Sequence, residues 1–168
     1  MIKIKLYNII FPIWFLLFFP PVILITLLGN FVIDSVVIIV CFFLFKLAGQ
    51  QKSLGEFYKG SIIKVWILGF LADFIGAAIL FVLGILGDFY GLPYELTSAI
   101  NFDPFSNPLA VLLIILAMLV SAVLIFIFNF KITFNNLIGE QKVRFKVAIT
   151  LAVVTMPWTF LLPTKWFY

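Results

Sequence analysis

The chain has 168 residues, of which 65% are hydrophobic and 11% charged, against roughly 45–50% apolar and about 25% charged in an ordinary soluble domain. That balance excludes a water-soluble globule, and apolar runs of about 20 residues recur with little between them, each enough to cross hydrocarbon about 30 Å thick. The formal charge of +4 does not point to nucleic acid, because its basic residues are ten Lys and the single Arg144, placed as topology signals rather than as a phosphate-binding face. His is absent and Cys41 is the only cysteine, which removes the commonest general base and zinc ligand as well as paired-thiol chemistry.

The pattern predicts an all-α, polytopic membrane protein forming a single transmembrane domain with about five spans. The first runs from Leu6 to Leu28, too long for the apolar region of a signal peptide, with Pro12, Pro20 and Pro21 kinking it or ending its regular part early. A tight turn at Gly29 and Asn30 is expected next. The second span, Phe31 to Leu47, opens with Asp34 in its first turn, where the helix dipole favours a carboxylate. The third runs from Ile62 to Leu86, the fourth from Leu109 to Phe130, and the fifth from Val147 to Leu162 with Pro157 inside it. The two basic loops repeat an order of residues, Leu54-Gly55-Glu56 in one and Ile138-Gly139-Glu140 in the other. This suggests a parallel repeat of 31–86 and 109–162.

Loop charges set the orientation. Lys3 and Lys5, then Lys46, Lys52, Lys59 and Lys64, then Lys131, Lys142, Arg144 and Lys146 gather on one side, leaving Lys165 alone on the other. The positive-inside rule then puts the amino terminus in the cytoplasm and the carboxyl terminus outside. Lys-rich, Arg-poor composition with abundant Phe, Ile and Asn suits an AT-rich gene and a bacterial inner membrane.

Asp73 is the most informative residue. It lies about eleven residues into the third span, ~16 Å deep, where insertion of a carboxylate costs about 2.5 kcal/mol or more. Its helical neighbours Gly69, Gly76, Ala77 and Gly84 form a small-residue stripe suited to close helix approach. Ser121 and Thr155 match its depth as hydrogen-bonding partners. Asp73 is therefore either a protonated packing residue or a relay for protons or cations. Between the third and fourth spans, Asp88, Glu95 and Asp103 lie among aromatic residues, as in a segment resting on the outer membrane surface.

These features predict no enzyme, no metal and no cofactor: Asp34 and Asp73 are expected at different depths, so no membrane-level carboxylate pair forms. Two functions remain. One is an inner-membrane subunit that self-associates through the small-residue face and anchors or signals to a cytoplasmic partner. Its basic residues Lys52, Lys59, Lys64, Lys131, Lys142, Arg144 and Lys146 would meet that partner or anionic lipid, as in a sensor of an immunity or phage-defence system. The other is a small channel or transporter using Asp73 as an intramembrane proton or cation site.

Overall fold

In hydrocarbon the backbone has no water to bond to, so an apolar chain satisfies its N–H and C=O groups in helices. The computed structural model describes residues 12–18, 20, 22–50 and 53–167, and among them every regular element is helical. In chain order these are α1 (Ile13–Leu16), α2 (Val22–Leu44), α3 (Leu54–Gly84), α4 (Tyr94–Asn101), α5 (Pro108–Phe128) and α6 (Gln141–Thr155), with short 3₁₀ turns between and after them. Four stretches among the described residues are long and apolar enough to cross a membrane: Val22–Leu44, Leu54–Gly84, Pro108–Thr133 and Gln141–Leu161. The protein is thus an all-helical, multi-pass membrane protein.

Local chemistry sets the boundaries, and several differ from the sequence expectation. Ser53 begins α3 with a capping box: Glu56 N donates to Ser53 Oγ at 3.3 Å and Ser53 N donates to Glu56 Oε2 at 3.2 Å. The third helix therefore starts eight residues before Ile62, and Lys59 and Lys64 stand on it rather than in a loop. Asn107 caps α5, accepting from Leu109 N at 2.9 Å, with Pro108 at the first helical position, where its missing N–H costs nothing. A π-helical turn, Asn129–Thr133, extends α5 and carries Lys131. α6 starts at Gln141, so Lys142, Arg144 and Lys146 lie on its first turns.

The largest correction concerns the amino-terminal third. Leu6 to Phe11 lie outside the described residues, as do Lys3, Lys5 and Lys52. Beyond them the expected first span is not one helix: α1 is four residues long, Leu17 and Phe18 turn ahead of Pro20, and α2 begins at Val22. No turn forms at Gly29 and Asn30, which lie inside α2. In water this pair favours a turn, but within a bilayer breaking the helix would free backbone groups with nothing to bond.

The four long helices form a closed ring in which α3 packs against α2 and α5, and α6 packs against α5 and α2. One end carries the basic residues of α3, α6 and the π turn. Its core joins Phe42, Phe57, Phe134, Ile138 and Val147, with Phe57 and Phe134 stacked at 5.8 Å. The opposite, acidic end has a second core of Trp14, Leu80, Ile100, Ile114 and Phe160, over which α4 lies. The carboxyl-terminal tail laces this end: Ile13 N donates to Thr164 Oγ1 at 2.9 Å, Lys165 N to Phe102 O at 3.2 Å, and Lys165 Nζ to Asp103 Oδ2 at 2.5 Å. Between the two cores the contact is made by the small Ala72 and Ala152 with Ile125. Outward-facing Leu24, Leu28, Ile67, Phe74, Leu116, Val123 and Val153 are exposed and form the belt that meets lipid.

Candidate intramembrane carboxylate site

Continuity of α2 changes the meaning of Asp34. It stands twelve residues into a 23-residue helix, about 18 Å from its start, instead of in a first turn. Asp34 is 5% exposed and Asp73, on α3, 8% exposed. The two helices are antiparallel neighbours, and Gly69 lets their carboxylates approach. A Cβ at Gly69 would lie 4.0 Å from Asp34 Oδ2, so the Asp34 carboxyl rests over the turn of α3 that precedes Asp73. Asp73 Oδ1 is enclosed and has no hydrogen-bond partner among the described residues. The expectation that Asp34 and Asp73 lie at different depths is thus corrected, because both line one cavity of about 360 Å³.

Thr26, Gly29 and Asn30 of α2 and Gly69 and Phe70 of α3 also line this cavity, and its far wall runs from Val154 to Phe160. That wall exists because α6 stops inside the membrane. Pro157 has no N–H and pushes the residue before it into an extended conformation; Met156 has ψ 155°. A helix leaves its last four carbonyls without helical partners. Here, among the described residues, no backbone N–H beyond Thr155 reaches back to them. The negative end of the α6 dipole therefore meets the cavity that holds Asp34 and Asp73, and among the described residues no Lys or Arg lines it. Two carboxylates, a helix carboxyl end and the Asn30 amide make a place for a proton or a cation and a barrier to anions.

The other expected site residues divide. Thr155 lines the cavity while its hydroxyl donates to Leu151 O at 2.9 Å. Ser121 does not reach the Asp73 carboxyl; its hydroxyl donates to the neighbouring backbone carbonyl, Ala72 O, at 3.1 Å. The small-residue stripe of α3 is filled within the chain. A Cβ on Gly76 would stand 2.1 Å from Ser121 Oγ, one on Gly84 would stand 2.3 Å from Asn101 Oδ1, and Ala77 is buried in the acidic-end core. At Gly76 and Gly84 the close approach that the small residues allow is made within the chain, to α5 and α4.

At the basic end Lys59, Lys64, Lys131, Lys142 and Lys146 are exposed. Arg144 is held internally, donating to Asn135 O at 3.2 Å and to Asn135 Oδ1, with its guanidinium 4.7 Å from the Phe130 ring centre. At the acidic end Asp88 accepts from Thr97 Oγ1 at 2.9 Å, Asp103 pairs with Lys165, and Glu95 is exposed in the first turn of α4. No group of three or more His, Cys, Asp or Glu that could hold a metal forms among the described residues.

Asp34, Asn30 and the broken end of α6 are the parts of the site that sequence reasoning missed. Reading the apolar run through Gly29 and Asn30 as one helix would have found the first two. Compared with protein-family models, with curated proteins and with solved structures, the chain matches none, so the functional reading rests on the arrangement of its own residues.

Proposed function

We propose that the chain is a small channel or transporter of the bacterial inner membrane that binds protons or another cation at Asp34 and Asp73. One observation carries this reading: two buried carboxylates on adjacent helices line a single cavity with the open carboxyl end of α6, and among the described residues no basic side chain balances them. An uncompensated carboxylate inside a membrane is costly, and a second beside it compounds the cost, so a purely structural pair would be poorly tolerated. The role is binding and passage, with no chemical step. By the positive-inside rule we assign the basic end to the cytoplasm and the carboxyl-terminal tail to the outside.

A second reading has its own support. The exposed Lys59, Lys64, Lys131, Lys142 and Lys146 suit anionic lipid or an acidic cytoplasmic partner. The two readings separate in liposomes carrying an interior pH dye and an imposed K⁺ gradient. Asp34→Asn and Asp73→Asn keep the side-chain shape and remove the charge. Each is expected to cut cation-driven flux about tenfold or more, the scale of losing a buried charged partner. Replacing Lys59, Lys142 and Lys146 with Gln should leave flux intact. Flux that is absent in the wild type, or unchanged in both Asn variants, would overturn the cation site and favour the anchor.

A further inference from the structure

Both ends of the bundle axis are filled. Phe57 and Phe134 plug the basic end, and Trp14 and Phe160 the acidic end, each 1% exposed or less. The cavity between them opens sideways. Four residues that line it also face outward at the depth of the spans: Ile25 at 72% exposed, Trp158 at 53%, Ile33 at 49% and Val154 at 47%. Between Ile25 and Ile33, Gly29 leaves a notch in α2, since a Cβ built there would touch nothing within 4 Å. The rim is mostly apolar, with Thr159 exposed beside Trp158 and Thr26 and Asn30 half-buried, and the interior has the Phe70 and Phe160 rings with the Asp34 and Asp73 carboxylates.

We infer that the site is reached laterally from the bilayer, through the opening between α2 and the Val154–Trp158 segment, and that its ligand is a lipophilic organic monocation. This rests on the cation-site reading above and names its substrate class. A hydrated alkali ion meets aromatic plugs at both ends of the axis and a mostly apolar rim at the side, whereas an onium ion with hydrocarbon substituents already partitions into the membrane. Its charge is met by the two carboxylates and the α6 carbonyls, and its substituents by the rings, which attract cations through their faces. The volume of about 360 Å³ falls within the roughly 300–1,000 Å³ of small-molecule sites. Among the described residues the groups facing the ligand that titrate are Asp34 from α2 and Asp73 from α3; the Val154–Phe160 wall contributes none.

The test is equilibrium binding of radiolabelled tetraphenylphosphonium to the full chain in nanodiscs of zwitterionic lipid, with neutral triphenylphosphine oxide as the uncharged competitor. Saturable binding is expected, insensitive to the competitor and weakened about tenfold or more in Asp34→Asn and in Asp73→Asn. Gly29→Trp places a ring in the notch, where a Cβ meets nothing within 4 Å. It should weaken tetraphenylphosphonium binding about tenfold or more, and helical circular dichroism would verify that it folds. Absence of saturable binding alongside Asp-dependent flux would overturn the lipophilic ligand and leave the cation site standing. Absence of both would overturn the cation site as well. Unchanged binding in Gly29→Trp would overturn the lateral route.

Discussion

Asp73 was legible as a residue of interest because a carboxylate in the middle of an apolar run has few explanations. Its partner was not, since Asp34 looks like a helix cap when Gly29 and Asn30 are taken as a turn. The same intimacy that buries Asp73 makes its neighbour Gly76 intolerant. Gly76→Ala would put Cβ 2.1 Å from Ser121 Oγ and 3.2 Å from Ala117 O, and the required shift is expected to cost about 1–3 kcal/mol. Removing the hydroxyl with Ser121→Ala relieves the shorter contact, so the double variant should be more stable than the sum of the single effects. Thermal denaturation in detergent of all four proteins checks this; strict additivity would mean that the helices have room to part.

At the scale of elements, apolar runs revealed that helices exist and roughly where, because length and composition suffice for a span. Their ends were read less well. The basic residues at 59, 64, 142, 144 and 146 suggested loops, yet they stand on the first turns of α3 and α6, where long cationic side chains reach the headgroups from a helix. Pro157 was visible in the sequence, but what its break would face depended on where α2 and α3 pass, which is a tertiary fact. The break has a measurable role. Pro157→Ala restores an N–H and lifts the restriction on Met156, so α6 should gain a turn and the protein should melt later. Capping the α6 carbonyls in this way should also weaken cation binding at the carboxylate site. Higher melting temperature with unchanged tetraphenylphosphonium affinity would show that these carbonyls take no part in the site.

For the whole molecule, the separation of charge was readable directly: basic side chains crowd one end and Asp88, Glu95, Asp103 and Lys165 the other. How the acidic end is held together was not, since its bonds join the two extremes of the described chain. Two substitutions in the tail distinguish what matters there. Thr164→Val leaves the buried Ile13 N–H without its acceptor and is expected to cost about 1–3 kcal/mol. Lys165→Gln breaks a pair whose lysine side chain is 45% exposed and should cost less than about 1 kcal/mol. Denaturation midpoints in the same detergent would compare them, and a larger loss from Lys165→Gln would mean that the ion pair, not the buried bond, holds the tail.

The bond between Ile13 and Thr164 spans 151 residues, which carries a consequence for biosynthesis. One wall of the cavity comes from Leu17, Phe18 and α2, and the opposite wall, Val154 to Phe160, is translated about 120 residues after Asp34. Until that segment is made, Asp34 and Asp73 face an unfinished bundle that lacks its far wall. Contacts of such long sequence separation form late, and a nascent chain stalled before Val154 would present two naked acids to lipid. Forms truncated before Val154 should therefore be recognised and degraded in the membrane rather than accumulate, because the Val154–Phe160 segment is what shields the two acids.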